Sequence, residues 1–189
     1  MRPAQGVITR AQIVAQRGDN SYGQIGTGTT SNSGPVTTPT AIADVPMPIE
    51  VAAYTQTSCA VDATGDAYCW GINYKGGLGD GTFDDRWSPT RVLGLPGRAR
   101  TVEPAYGASY ALLEDGTVWA WGSSLDGQLG DGTTIDRPTP GPVPGLSSIV
   151  DVVSENRLTC ATDGTALWCW GRTLAPTPAL QPLECPEES

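Results

Sequence analysis

Short apolar runs alternate with glycine-rich polar segments along the chain. Ser58-Cys59-Ala60-Val61 and Ala67-Tyr68-Cys69-Trp70 flank Ala63-Thr64-Gly65, while Ser109-Tyr110-Ala111-Leu112 and Val118-Trp119-Ala120-Trp121 flank Glu114-Asp115-Gly116. Apolar residues at every second place about a short loop ending in glycine predict β-hairpins, with the glycine in the left-handed conformation. A strand is predicted before each hairpin, as at Ile149-Val150-Asp151-Val152-Val153, and another after Pro89, near Thr90-Arg91-Val92-Leu93. Long helices are not expected, because glycine, proline or β-branched clusters interrupt every stretch of helical length.

The hairpins recur. Trp70-Gly71, Trp121-Gly122 and Trp170-Gly171 are spaced 51 and 49 residues apart, and Arg17-Gly18 occupies the same slot 53 residues before Gly71. Behind the first three slots come Asp19-Asn20-Ser21-Tyr22-Gly23-Gln24-Ile25-Gly26-Thr27-Gly28-Thr29, Ile72-Asn73-Tyr74-Lys75-Gly76-Gly77-Leu78-Gly79-Asp80-Gly81-Thr82 and Ser123-Ser124-Leu125-Asp126-Gly127-Gln128-Leu129-Gly130-Asp131-Gly132-Thr133. Three glycines thus sit at fixed offsets around one Ile or Leu. Four strands in ~50 residues is the size of a propeller blade. The chain reads as one domain, 1–189, with units at about 1–18 (degenerate), 19–71, 72–122 and 123–171, and a degenerate end at 172–189.

The pattern Trp-Gly-x-Asn-x-x-Gly-Gln-Leu-Gly-x-Gly, with Pro89 and Pro140 each 18 residues after their Gly and Pro39 21 after Gly18, resembles the regulator of chromosome condensation repeat. The resemblance covers about residues 12–171. It implies an all-β fold, a seven-bladed β-propeller in the family, of which this chain supplies a partial propeller of about three to four four-stranded blades. It also implies a choice of functions, since the family includes exchange factors for small GTPases, a β-lactamase inhibitor and bacterial surface or secreted proteins. The sequence departs from the pattern at Arg17, in place of tryptophan, and after Gly171, where Arg172-Thr173-Leu174-Ala175-Pro176 lacks the glycine loop. The even spacing leaves no room for the wedge-like insertion of the exchange factors.

Composition narrows the function. The formal net charge is −9, from 11 basic and 20 acidic residues, and Lys75 is the single lysine. Clustered cations, which phosphate-backbone binding needs, are missing, so nucleic acid is not expected as a partner. Histidine is absent, which removes Ser–His triads, His-ligated zinc and His acid–base chemistry. No apolar run reaches the ~18 residues of a membrane span. The glycine clusters lack the Lys-Ser or Lys-Thr of a phosphate-binding loop, and nothing selects a carboxylate pair for glycoside hydrolysis.

Gly76-Gly77-Leu78-Gly79-Asp80 is near a calcium-binding nonapeptide, and Asp80, Asp84, Asp85, Asp131 and Asp136 are hard-oxygen candidates. An aspartate before glycine in a tight turn explains the same residues, and no catalytic residue, metal or cofactor is expected. Arg17-Gly18-Asp19 falls in the repeat slot, where one Trp→Arg change accounts for it. Trp119 and Trp168, two places before the motif tryptophans, are expected to fill the core between blades rather than to stack on sugars. Trp87 is expected to be an exposed aromatic contact.

Cys59 and Cys69 are symmetric about Thr64, at the middle of the hairpin loop, as Tyr110 and Ala120 are about Asp115. They face each other across the strands and are expected to form a disulfide. A three-residue loop ending at Gly164 would instead set Cys160 opposite Ala166. Pairing Cys160 with Cys169 therefore needs a bulge or a longer loop, with Cys185 left over or competing. Paired cysteines point to an extracellular, periplasmic or cell-surface location. The start of the chain, which lacks the apolar core of a signal peptide, points to a cytoplasmic alternative.

The segments that vary between copies are 30–38, 83–88 and 134–137, and variable loops on a rigid frame carry binding. The candidate contacts are Phe83, Asp84, Asp85, Arg86, Trp87, Ile135, Asp136 and Arg137. The expected function is a non-catalytic scaffold presenting these loops to a protein partner, with self-association to complete the propeller. The alternatives are a guanine-nucleotide exchange factor and a glycan-binding or secreted hydrolytic propeller.

Overall fold

The computed structural model describes residues 19–31, 36, 38, 40–42, 44–155, 157–172 and 181–183. Its strands form three four-stranded antiparallel sheets, each a meander in chain order. The first holds β1 (Pro48–Tyr54), β2 (Thr57–Asp62), β3 (Ala67–Gly71) and β4 (Arg86–Arg91). The second holds β5 (Ala99–Pro104), β6 (Ala108–Leu113), β7 (Val118–Gly122) and β8 (Arg137–Pro142). The third holds β9 (Asp151–Glu155), β10 (Leu158–Thr162), β11 (Leu167–Gly171) and β12 (Gln181–Leu183).

Each Trp-Gly pair closes the third strand of a sheet, and in the first two sheets the fourth strand follows the glycine loop. These two sheets therefore each straddle two of the sequence units. The fourth strand also differs from expectation. It begins at Arg86 and contains Pro89, so Arg86 and Trp87 are strand residues rather than loop, as is Arg137 at the start of β8. Proline is tolerated there because β4 and β8 pair on one side only, and an edge strand does not need every N–H. The strand expected over 149–153 runs two residues later, as Asp151–Glu155.

Both hairpin cysteine pairs are directly opposed, with Cα atoms 4.1 Å apart, and both are disulfides. The three-residue loop expected to end at Gly164 is replaced by a longer one. Thr162 pairs with Leu167, leaving residues 163–166 as the turn. The Asp163 carboxylate accepts the N–H groups of Thr165 and Ala166, each at 2.8 Å, and Thr162 Oγ1 donates to Ala166 O at 2.7 Å. These bonds hold the wider turn and bring Cys160 opposite Cys169. Cys185 lies outside the described residues, as does Arg17.

The core lies between sheets. Val61, Cys69, Leu78 and Val92 of the first meet Val102, Ala111 and Trp121 of the second; Tyr110, Leu112, Leu129 and Val143 then meet Val152, Ala161 and Trp170. Trp119 and Trp168 are half-buried against these two clusters, as core filling requires. The motif tryptophans also tie each sheet to the preceding glycine loop. Trp70 Nε1 donates to Gln24 O at 2.9 Å, Trp121 Nε1 to Gly77 O at 3.0 Å and Trp170 Nε1 to Gln128 O at 2.9 Å.

Candidate functional site

The glycine loops and the inner hairpin turns meet at one end of the sheets. Ile72 N–H donates to Gln56 O at 3.0 Å and Ser123 N–H to Gly107 O at 2.8 Å, so the loops at 72–85 and 123–136 spring from beside the turns at 55–56 and 106–107. Loops on a rigid frame are where binding concentrates.

Each loop is held by its own polar side chains. Asn73 Oδ1 accepts Leu78 N–H at 2.9 Å while its Nδ2 donates to Thr82 O and Asp84 O, both at 3.0 Å. Asn20 plays the same part for Ile25 and Thr29, and Ser124 Oγ donates to Thr133 O. Asp80 accepts from Thr82 N–H and hydroxyl and from Arg86 Nε at 2.7 Å; Asp131 takes the same bonds from Thr133 and an ion pair from Arg137 at 3.1 Å. Hydrogen bonds from Thr82 and Arg86 overcome the burial of Asp80 and hold its carboxyl below the usual range. Asp85 accepts Asn73 N–H and Asp136 accepts Ser124 N–H, both at 2.8 Å, and Asp136 also pairs with Lys75 at 3.1 Å.

This divides the candidate contacts in two. Arg86, Asp85, Asp136 and Arg137 hold the loops, whereas Phe83 and Ile135 are 62% and 71% exposed and the Asp84 side chain is also in solvent. Trp87 is half-exposed, its ring lying against Gly23, where a Cβ would meet Cδ1 at 2.7 Å. Of the carboxylates considered as calcium ligands, Asp80 and Asp131 are occupied by threonines and arginines, Asp85 by Asn73 N–H, and Asp136 by Ser124 N–H and Lys75. Among the described residues no three His, Cys, Asp or Glu side chains are placed to hold a metal.

A feature that sequence reasoning missed lies between the two inner turns, beside the start of the first glycine loop. A cleft of about 220 Å³ opens between the first and second sheets, with Thr55, Gln56, Ile72, Tyr74, Tyr106 and Gly107 among its walls and no charged residue lining it. Tyr74 and Tyr106 are each about half exposed. Its signal was present only as a difference between copies, because Tyr74 corresponds to Leu125 and Ile72 to Ser123.

Four-stranded meanders stacked face to face, with tryptophans reaching back from sheet to sheet, make this chain part of a β-propeller. The profile of the regulator of chromosome condensation (RCC1) repeat matches residues 64–113 and 115–162, and a second RCC1 repeat profile matches 49–76. The chain belongs to the RCC1 repeat family. It is 30% identical over 192 residues to the human E3 ubiquitin-protein ligase HERC2, an alignment covering 94% of this chain and 4% of the relative. Among solved structures, human WBSCR16 superposes with a TM-score of 0.76 at 21% identity, over 87% of this chain and 46% of that one. Yeast RCC1 (Prp20), solved with Kap60 bound, superposes with a TM-score of 0.68 at 19% identity, over 91% of this chain and 46% of that one. The chain thus spans less than half the length of each of these proteins.

Proposed function

We propose that this chain is a non-catalytic protein-binding segment of a propeller that works in an oxidising compartment. One observation carries the reading: both glycine loops bind their own backbone through Asn or Ser, Asp and Arg side chains, yet leave Phe83 and Ile135 in solvent. Exposed apolar side chains on a preorganised loop are suited to anchoring a protein partner, since little ordering entropy remains to be lost. Yeast RCC1, which shares the fold, was solved with Kap60 bound, in keeping with a protein partner. The two cysteine pairs support the compartment. Self-association belongs to the same reading. Ile49 and Val51 of β1, and Val153 and Leu158 of the third sheet, are exposed at the two ends of the stack, and such faces in repeat proteins seek a neighbour.

Photo-crosslinking tests the binding reading. A benzophenone amino acid at Phe83 or at Ile135 is expected to capture the same protein, and one at Asp115, in the hairpin turn at the other end of the sheets, is expected not to. Capture from all three positions, or a chain that speeds nucleotide release from a small GTPase, would count against it; the second outcome favours the exchange-factor alternative.

A further inference from the structure

The cleft beside Tyr106 has a counterpart one blade on, and the two differ in one respect. Between the second and third sheets, Arg157 lies over the Tyr106 ring, 4.9 Å from its centroid, and pairs with Asp126 at 2.8 Å. Its side chain crosses that junction. Between the first and second sheets the matching position is Gly107, whose carbonyl accepts Ser123 N–H just as Arg157 O accepts Arg172 N–H. With no side chain there, the junction stays open. Tyr74 lies against the bare backbone, so that a Cβ on Gly107 would meet its Cδ1 at 2.7 Å.

The geometry points to this open cleft as the receptor for a proline-rich segment of the protein partner, an inference that rests on the protein-binding reading above. Three properties select that occupant. The volume of about 220 Å³ is below the ~300–1,000 Å³ usual for small-molecule pockets and suits one or two side chains of a longer ligand. The walls carry no charge and offer two half-exposed tyrosine rings, the surface against which proline rings pack in aromatic-lined grooves. The rim supplies donors from the Gln56 amide, the Thr55 hydroxyl and the two phenols, while the Thr57 hydroxyl donates to Ile72 O at 3.1 Å. A polyproline helix presents carbonyls that no internal hydrogen bond uses, and it arrives preordered.

The test titrates fluorescein-labelled decaproline, a (Gly-Ser)5 peptide of equal length, and chitotetraose. Decaproline is expected to saturate below about 1 mM, weakening at least tenfold in Tyr74→Ala and Tyr106→Ala and less than twofold in Leu125→Ala. In the wild-type chain its amide chemical-shift changes are expected to centre on 55–57, 72–74 and 105–107, a readout independent of whether the variants fold. The inference is overturned by absence of saturation, by equal binding of the Gly-Ser peptide, by tyrosine-dependent binding of chitotetraose instead, or by shift changes centred elsewhere. Crosslinks from Phe83 and Ile135 do not pass through the cleft, so their success beside a failed titration rejects this inference alone.

Discussion

Trp121 Nε1 lies 3.0 Å from Gly77 O, and a Cβ on Gly79 would meet the same nitrogen at 2.6 Å. The tryptophan and the glycine recur together because they touch, although they stand near opposite ends of one sequence unit and belong to successive sheets. Gly79 also has a positive φ of 71°, so Gly79→Ala brings both a clash and backbone strain. Trp121→Ala removes a fully buried indole and is expected to cost about 3–5 kcal/mol, read from urea denaturation. The tryptophan-glycine pairing was legible as a recurring pattern, but its direction, from one sheet back to the glycine loop of the preceding sheet, appeared only in three dimensions. Glu50 left no sequence signal. Burial between the first two sheets pushes its carboxyl up to about 7, and repulsion from Glu103 adds to this, against a Val102 N–H that donates to it. The folded state therefore holds the proton more tightly than the unfolded one. Stability is expected to fall as pH rises from about 4.5 towards 7 and then level off. Glu50→Gln should flatten that part of the profile in thermal melts; an unchanged slope would show that another group is responsible.

At the scale of the element, the hairpin at 57–71 was fully readable, because a three-residue loop centred on Thr64 sets Cys59 opposite Cys69 by arithmetic. The hairpin at 158–171 was not. Its turn is one residue longer, through bonds to Asp163 and Thr162 that no hydrophobic pattern encodes. The two disulfides also differ in access: Cys59 and Cys69 are sealed beneath the second sheet, whereas Cys160 is only half-buried on the outer face of the third. Thiol exchange requires an attacking thiolate to reach a sulfur. Under mild dithiothreitol, Cys160 and Cys169 are expected to take up iodoacetamide first, as followed by peptide mass spectrometry. Labelling of Cys59 and Cys69 first would contradict the packing of the first two sheets. Substituting both Cys59 and Cys69 by alanine is expected to cost about 2–4 kcal/mol.

For the whole molecule, the repeat made the sheets legible but not the cleft. Positions that copies share build the frame, and they announce themselves by recurring. Tyr74, Tyr106 and Gly107 are positions where copies differ, and they meet only when the first and second sheets pack together. The ends of the stack follow the same logic: Val102 and Val152 are buried by the preceding sheet, while Val51, their counterpart in the first sheet, is 40% exposed. Sedimentation velocity is expected to show mass rising with concentration, and Val51→Lys with Val153→Lys to suppress it; a monomer at all concentrations would reject self-association. The central claim concerns the face built from the glycine loops and inner turns, and amide hydrogen exchange on the complex captured by crosslinking tests it most directly. The account expects slowed exchange over 55–57, 72–85, 105–107 and 123–137, with 63–66, 95–98 and 114–116 unchanged. Protection confined to the latter segments, at the opposite end of the sheets, would contradict it.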